Sequence, residues 1–476
     1  MKLDTTRWNL KPVPGGRDHH RLVCALFLLA WGCVQPRALL CQTHNVYPGQ
    51  SIQAVIERAE QGDTIVVAGG EYKENLRVTT RVTIIGRNLP RIRGGFIGHT
   101  MMILASGTVL DGLHVSESGL DLNNDIACIL VEADSVIIRN CLITKPLHGI
   151  YVKGGSYVDI HDNRIVGRLD LISEDRGNGI HLWNSQHNTL YRNEVFNTRD
   201  GIYFSFTDST NVHHNYIHDV RYGLHYMYSN NNRFFSNLFE QNVAGAALMY
   251  SQYIVFHQNV FARCRGFHAY GLLYQSMDHT SASDNLIIDN SRGVFLNNAN
   301  FSRFTHNDIV DNDIAVQLFS TGEQNVFVAN NIINNLSNLV VDGRKTHMVW
   351  AADSGGNYWS QYDGYDLDGD GLGDVPFKIQ NVFQVIETRF PEIRFYLFSP
   401  AARILEIAER SLPVLAMGTE ADPLPLMRPI DNADVPWEKT HHMSSDSSPV
   451  FAVLYFLVGG IPVLFLLRIS RRKRGK

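Results

Sequence analysis

Asparagine recurs along this chain at a spacing that few folds can accommodate. Asn193, Asn215, Asn237 and Asn259 are separated by steps of 22 residues. After a step of 26 the series resumes at Asn285, Asn307 and Asn330, and upstream Asn140 and Asn163 extend it. An apolar residue stands three places before most of these asparagines (Leu190, Val212, Phe234, Phe256) and another two places after (Val195, Ile217, Phe239, Phe261). Glycine follows eight places later at 201, 223, 245 and 293, opening short alternating runs such as Gly-Ile-Tyr-Phe. Period-two alternation in short pieces broken by Gly and Asn reads as strands and turns. A fixed repeat of this length reads as a solenoid. The Leu-rich consensus of leucine-rich repeats is missing. The expectation is therefore an all-β, right-handed parallel β-helix with coils of about 22 residues stacked ~4.8 Å apart. Asn amides stack coil on coil at one turn, and Gly supplies positive φ at another.

A solenoid needs its ends covered. Ser51–Gln61 reads as an amphipathic N-terminal cap helix with a Ser N-cap, followed by a strand over Thr64–Ala68. Beyond Val341 the repeat fades. Ala401–Leu412 looks helical, and Gly418–Ser448 reads as a Pro-rich extended linker.

The columns follow from the register. With Ile180/Leu182, Ile202/Phe204, Leu224/Tyr226, Ala246/Leu248 and Val294/Leu296 inside, the alternate residues face out. One outer column is then Tyr151, His181, Tyr203, His225, Ala247, Leu273, Phe295. Its neighbour is Lys153, Trp183, Ser205, Met227, Met249, Gln275, Asn297. A face so rich in aromatic, His and Met side chains predicts a docking surface, with Tyr151, Trp183, Tyr203 and Phe295 as partner-binding residues. His225, Met227 and Met249 combine imidazole with thioether, a soft donor set suited to transient Cu(I), with His181 two coils away as an additional candidate. His213 and His257 form another pair at equivalent positions.

Asp366-Leu-Asp368-Gly-Asp370-Gly371-Leu372-Gly-Asp374 places acids at positions 1, 3, 5 and 9 of a loop, with Gly at 6 and a Leu372 carbonyl at 7. This spacing predicts a structural calcium loop, although Phe377 at position 12 departs from the full pattern.

Two further readings of a β-helix have to be weighed. Polysaccharide cleavage needs paired carboxylates or a carboxylate with a strong base. Asp200 has no acidic counterpart in the next coils (Tyr222, Ala244), and Asp170, Glu174 and Asp175 lie in one long coil. Those acids read as solvated turns and the chain as a non-enzyme. Polysaccharide binding through exposed Trp183, Tyr203 and Phe295 is the remaining alternative.

The ends set the topology. Lys2, Arg7, Lys11, Arg17 and Arg21 precede an apolar run, Leu22–Trp31, which suits a secretory leader with cleavage between 33 and 44. Pro449–Leu467 is long enough to span a bilayer, and the Arg/Lys-rich tail behind it places that end in the cytoplasm and the body outside. The net charge is −5 from 42 basic and 47 acidic residues, so no basic excess exists for nucleic acid. Cys128, Cys141 and Cys264 are too few and scattered for a disulfide framework and read as buried thiols. The resulting division is a leader over 1–44, β-helix over 45–345, the Asp/Gly-rich loop and solenoid end over 346–400, and a helix and linker over 401–448. A transmembrane helix over 449–468 and a basic cytoplasmic tail over 469–476 complete it.

Six stretches stand out beyond the repeat: Pro48-Gly-Gln-Ser-Ile-Gln-Ala, Gly62-Asp-Thr-Ile-Val-Val, Gly179-Ile-His-Leu-Trp-Asn-Ser, Tyr222-Gly-Leu-His-Tyr-Met-Tyr-Ser, Asp363-Gly-Tyr-Asp-Leu-Asp-Gly-Asp-Gly and Asp422-Pro-Leu-Pro-Leu-Met-Arg-Pro. In them the chain resembles the periplasmic maturation proteins of nitrous oxide reductase, the NosD family. The resemblance runs from about Tyr47 to Asp431. It implies a non-catalytic assembly factor in the periplasm, working with an ABC-type ATPase and its membrane subunit. It also implies engagement of a copper chaperone lipoprotein and the apo-reductase during copper–sulfide cluster loading. No Gly-Lys-[Ser/Thr] phosphate loop occurs, so any ATP-driven step belongs to a partner. The C-terminal membrane helix is a departure from the family pattern and adds an inner-membrane anchor.

Overall fold

The computed structural model describes residues 41–320, 323–342, 347–380 and 420–431, with isolated positions between 386 and 404. The leader, the apolar run over 449–468 and the basic tail lie outside the described residues, apart from the last few leader positions. Among the described residues no helix is long and apolar enough to cross a membrane.

Three parallel sheets of 14, 13 and 12 strands run the length of a β-solenoid of about 14 coils. Between the first and last coils each coil contributes one strand to each sheet, and every pairing within the three is parallel, from Thr43 to Trp359. Its last strands, His347–Val349 and Tyr358–Trp359, fall within 346–400, the segment read as the loop and the end of the solenoid. The core is a stack of like residues. Leu190, Val212, Phe234 and Phe256 are fully buried, and the Phe234 and Phe256 rings stack at 4.9 Å. Phe239 and Phe261 stack at 5.3 Å on the next sheet. Aligned aromatic stacking of this kind adds to area burial.

The asparagine ladder is observed, with one change of membership. From Asn163 through Asn193, Asn215, Asn237, Asn259, Asn285, Asn307 and Asn330 to Asn357, each Nδ2 donates to the next Oδ1 at 2.9–3.1 Å. Each Oδ1 also accepts the backbone N–H of the previous ladder residue, and most Nδ2 groups also reach a carbonyl of the preceding coil. Buried amides are tolerated here because their donors and acceptors are filled. Asn140 is not a rung. It points outward to Asp111, and Cys141 occupies the equivalent buried place, giving its N–H to Asn163.

The expected role of the glycine column is corrected. Positive φ is carried instead by residues just before the asparagines, such as Arg192, His214, Ser236 and Gln258 at 51–55°. The glycines permit close approach. A Cβ on Gly201 would sit 2.2 Å from Ile217 Cγ2 and 2.7 Å from the Gly223 carbonyl oxygen.

The helix at the N-terminal end is shorter than Ser51–Gln61. It spans Ile52–Ile56 (α1), with the Ser51 hydroxyl accepting the Ala54 N–H, and buries Ile52, Val55 and Ile56. At the far end the linker expectation is corrected for 420–431. This segment folds back onto the last coil, pairing Ala421–Asp422 with Phe377–Lys378. Asp422 ends the asparagine ladder, its Oδ2 accepting the Asn357 N–H at 2.7 Å and the Trp359 indole N–H at 2.9 Å. The remainder of 401–448, Ile404 aside, lies outside the described residues. Cys128, Cys141 and Cys264 are free and buried, and desolvation pushes each thiol up to about 12.

Candidate functional site

The 12-stranded sheet carries the residues singled out from the sequence. Its central strands are His148–Lys153 (β1), Ile180–Gln186 (β2), Asp200–Asp208 (β3), Tyr222–Met227 (β4), Ala244–Gln252 (β5), Tyr270–Asp278 (β6) and Arg292–Asn297 (β7). The pairing reproduces both outer columns residue for residue, from Tyr151↔His181 and Lys153↔Trp183 to Leu273↔Phe295 and Gln275↔Asn297.

Register did not decide exposure. Tyr151 is only 5% exposed, packed with Ala127 and Leu130 and stacked on His181 at 4.5 Å, so it cannot present a docking ring. Tyr203 and Phe295 are half-buried, and Trp183 is exposed. A second set of exposed aromatics lies beside these columns. Phe206, Tyr228 and Tyr250 stack at 5.4 and 5.2 Å along one corner, each with positive φ and each five residues after a column glycine. Their 22-residue spacing was visible in the sequence. His213 and His257 do face out at equivalent positions, with Phe235 between them and stacked on His213 at 4.5 Å.

A cleft of about 590 Å³ opens beside β1–β3, lined by Asp125, His148, Tyr151, His181, Trp183 and Tyr203 among others. Asp125 comes from a loop inserted before Ala127–Val131, the strand of the preceding coil that pairs with β1, at a left-handed turn after Leu122–Asn124. Because that insertion breaks the repeat, neither Asp125 nor its meeting with His148 had a signal in the spacing. Donor atoms of Asp125, His148 and His181 lie within 4.8 Å of one another. The His148 ring nitrogen, 3.6 Å away, holds the Asp125 carboxyl below its ordinary range. Burial pushes the His181 imidazole down to about 3, so it is neutral, and its Nδ1 has no hydrogen-bond partner. The tautomer of His148 limits what this trio can do. Asn178 donates its backbone N–H to His148 Nδ1 at 2.9 Å, which places the ring proton on Nε2, facing Asp125. A nitrogen carrying a proton is not a metal ligand.

Two coils along, the opposite arrangement occurs. Asp200, read from the sequence as a solvated turn, is fully buried. Burial alone would raise its pKa. Hydrogen bonds from His225 and Arg221 outweigh this and leave the carboxyl below its usual range. Arg221 grips it through Nε at 2.9 Å and Nη2 at 2.7 Å. His225 Nδ1 lies 2.8 Å from Asp200 Oδ2, so Nδ1 carries the proton and the Nε2 lone pair is free. Tyr203 stands edge-on to His225 at 4.8 Å, and its hydroxyl reaches Met227 Sδ at 3.8 Å. Met249 is the direct neighbour of Met227 on β5, and Ala247 that of His225. His181 does not join this group, because Tyr203 occupies the intervening place in the column.

The acidic loop forms in part. Carboxylate oxygens of Asp366, Asp368 and Asp374 come within 4.8 Å, but Asp370 is outside that group and accepts the Leu372 N–H instead. Asp366 accepts from Gly369 and Gly371, and Asp374 from Leu367. Leu372 bridges to Leu426, and Gly373 donates to the Pro425 carbonyl, so the loop holds the returning segment. The acids thus fold the loop around its own backbone, and Leu372 and Gly373 tie it to the returning segment.

A family model described as periplasmic copper-binding protein (NosD) matches residues 162–364. A protein of Pseudomonas aeruginosa named probable ABC transporter binding protein NosD is 33% identical over 387 residues, covering 78% of this chain and 90% of its own. A protein of the same name from Stutzerimonas stutzeri is 33% identical over 348 residues, covering 70% and 79%. Among solved structures, a Streptococcus pneumoniae surface adhesin aligns at TM-score 0.42 and 10% identity, over 62% of this chain and 94% of that one. A mannuronic-acid-specific polysaccharide lyase aligns at 0.43 and 13%, over 65% and 82%. With two relatives at this identity over most of its length, the chain belongs to the NosD family.

Proposed function

We propose that this chain is an exported assembly factor for nitrous oxide reductase, acting in the periplasm beside an ABC-type transporter. One observation carries the reading. The 12-stranded sheet of a NosD-family solenoid presents His225, Met227, Met249, Trp183 and a cleft on one continuous face. The names of the relatives support a transporter partner. On this reading a copper chaperone lipoprotein and the apo-reductase dock on that face in turn. Copper is cargo in transit, and the partner ATPase supplies the energy. The apolar run over 449–468 anchors the chain in the inner membrane and the basic tail meets the cytoplasmic leaflet. The chain itself performs no bond chemistry.

The test is a deletion strain complemented with the full chain. Restored copper–sulfide absorption of the reductase and co-purification of the transporter subunits are expected. Full cluster content without the chain would sink the reading.

A glycan-binding reading has one observation in its favour, the exposed Phe206/Tyr228/Tyr250 stack with Asp208 and Asn230 beside it. Retarded migration in gels containing acidic polysaccharide, lost on Tyr228→Ala, would support it.

A further inference from the structure

His225, Met227 and Met249 occupy three corners of a two-by-two block on adjacent strands, and Ala247 fills the fourth. We infer that this block is a Cu(I) site in which His225 Nε2, Met227 Sδ and Met249 Sδ are the ligands and Asp200 is the positioning residue. The inference takes copper as cargo from the assembly-factor reading and adds the site, the oxidation state and the group that prepares it.

The geometry carries this in four ways. The Nδ1–H of His225 is committed to a fully buried carboxylate, which fixes both the tautomer and the ring direction. Metal-bound histidines are held in this way by carboxylates behind them. Next, Met227 and Met249 are register partners on adjacent strands, whose backbones lie ~5 Å apart. A donor set of one imidazole and two thioethers is soft and selects Cu(I) over hard or borderline divalent ions. Third, Ala247, the smallest side chain in its column, adds no bulk of its own beside His225, although its neighbours bury it completely. Fourth, the Tyr203 hydroxyl, 3.8 Å from Met227 Sδ, holds that flexible side chain beside the His225 ring without using more than one sulfur lone pair. Met227 and Met249 are half-buried, and His225 keeps 13% of its side chain exposed between the Tyr203 and Tyr222 rings. Three ligands leave the ion a place to accept a donor from the protein that delivers or removes it.

The cleft trio of Asp125, His148 and His181 serves as the internal control. It offers more nitrogen and oxygen, yet the His148 proton faces inward.

The experiment is an anaerobic titration of the full-length chain with Cu(I) against bicinchoninate, together with X-ray absorption at the copper edge. The wild-type chain is expected to hold a single Cu(I) with sulfur and nitrogen neighbours. Met227→Leu/Met249→Leu keeps the packing volume and weakens binding on the order of 100-fold, leaving no sulfur in the absorption spectrum. Asp200→Asn weakens it roughly 10- to 100-fold. Because that variant disturbs Arg221 as well, His225→Gln, whose amide can still donate to Asp200, is measured beside it and must show the loss of nitrogen with a native circular-dichroism spectrum. Asp125→Asn leaves binding unchanged. A wild-type chain that fails to compete with the chelator, or a double Met variant that binds as tightly as wild type, overturns the inference. If copper binding fails while the chain still restores the reductase cluster, this site falls and the assembly reading stands. If binding holds while cluster content is independent of the chain, the site stands and the assembly reading falls.

Discussion

Two histidine–aspartate pairs share one sheet, and they differ in which ring nitrogen is spoken for. At His148 a backbone N–H occupies Nδ1, so the proton sits on Nε2 and faces Asp125. At His225 a buried carboxylate holds Nδ1–H, so Nε2 is open. Residue types and spacing are nearly the same in both places. Readiness to bind a soft ion is set by the group behind the ring, and that group is a carboxylate in only one of the two.

The largest expected contrast is in stability. Asp200→Ala should cost about 3 kcal/mol, because Arg221 and His225 lose the buried charge they were built around. Asp125→Ala, in a partly exposed loop, should cost roughly 0.5 kcal/mol or less. Urea unfolding of both variants decides the matter, and equal costs would erase the distinction between the pairs.

A pH experiment sharpens it further. The His181 pKa is depressed to about 3 by burial, so its neutral form is the one the fold accepts. Its contribution is fully present above the unfolded value near 6.5 and is lost progressively as pH falls toward 3. At about pH 4.5 the loss reaches roughly 2–3 kcal/mol, and His181→Phe should flatten the stability curve between these limits. Asp200 acts with the same sign at lower pH. Its depressed carboxyl stabilises the fold above the ordinary carboxylate range, and that contribution is lost as pH falls through its lowered native value. Denaturation midpoints measured from pH 7 to pH 3 read both effects. A curve for His181→Phe that parallels wild type would contradict the burial argument.

The smallest effect concerns the exposed tryptophan at the cleft. Trp183→Ala should change stability by about 0.5 kcal/mol or less while lowering capture of the chaperone or reductase, measured by pull-down. Unaltered capture would move the docking surface away from the cleft.

A similar pair separates ladder from surface. Asn237→Ala removes a rung whose amide is bonded on both sides and should cost roughly 3 kcal/mol, whereas Asn140→Ala should cost roughly 0.5 kcal/mol or less. Thermal melts of the two variants test whether the buried series begins at Asn163.

The two columns of the 12-stranded sheet were legible because coil-to-coil neighbours are separated by a nearly constant number of residues. Once the repeat was counted, Met227 had to meet Met249 and Tyr203 had to meet His225. Exposure along those columns was not legible in the same way. Tyr151 and His181 are covered by Leu130 and by each other's rings beside an insertion that follows no period. Asp200 looked solvated because nothing in its own coil marks Arg221, 21 residues later, as its partner.

Spacing dictates the solenoid, the Asn amide ladder from Asn163 to Asn330 and the order of residues on each face, since all three are translations of one coil onto the next. The close of the ladder on Asp422 depends on a segment 65 residues beyond Asn357 that returns through no repeat. The tautomers of His148 and His225 depend on a single hydrogen bond each, made by Asn178 in one case and Asp200 in the other. Such contacts are decided by three-dimensional packing, because a ring nitrogen is protonated according to its nearest neighbour and not according to its place in a pattern.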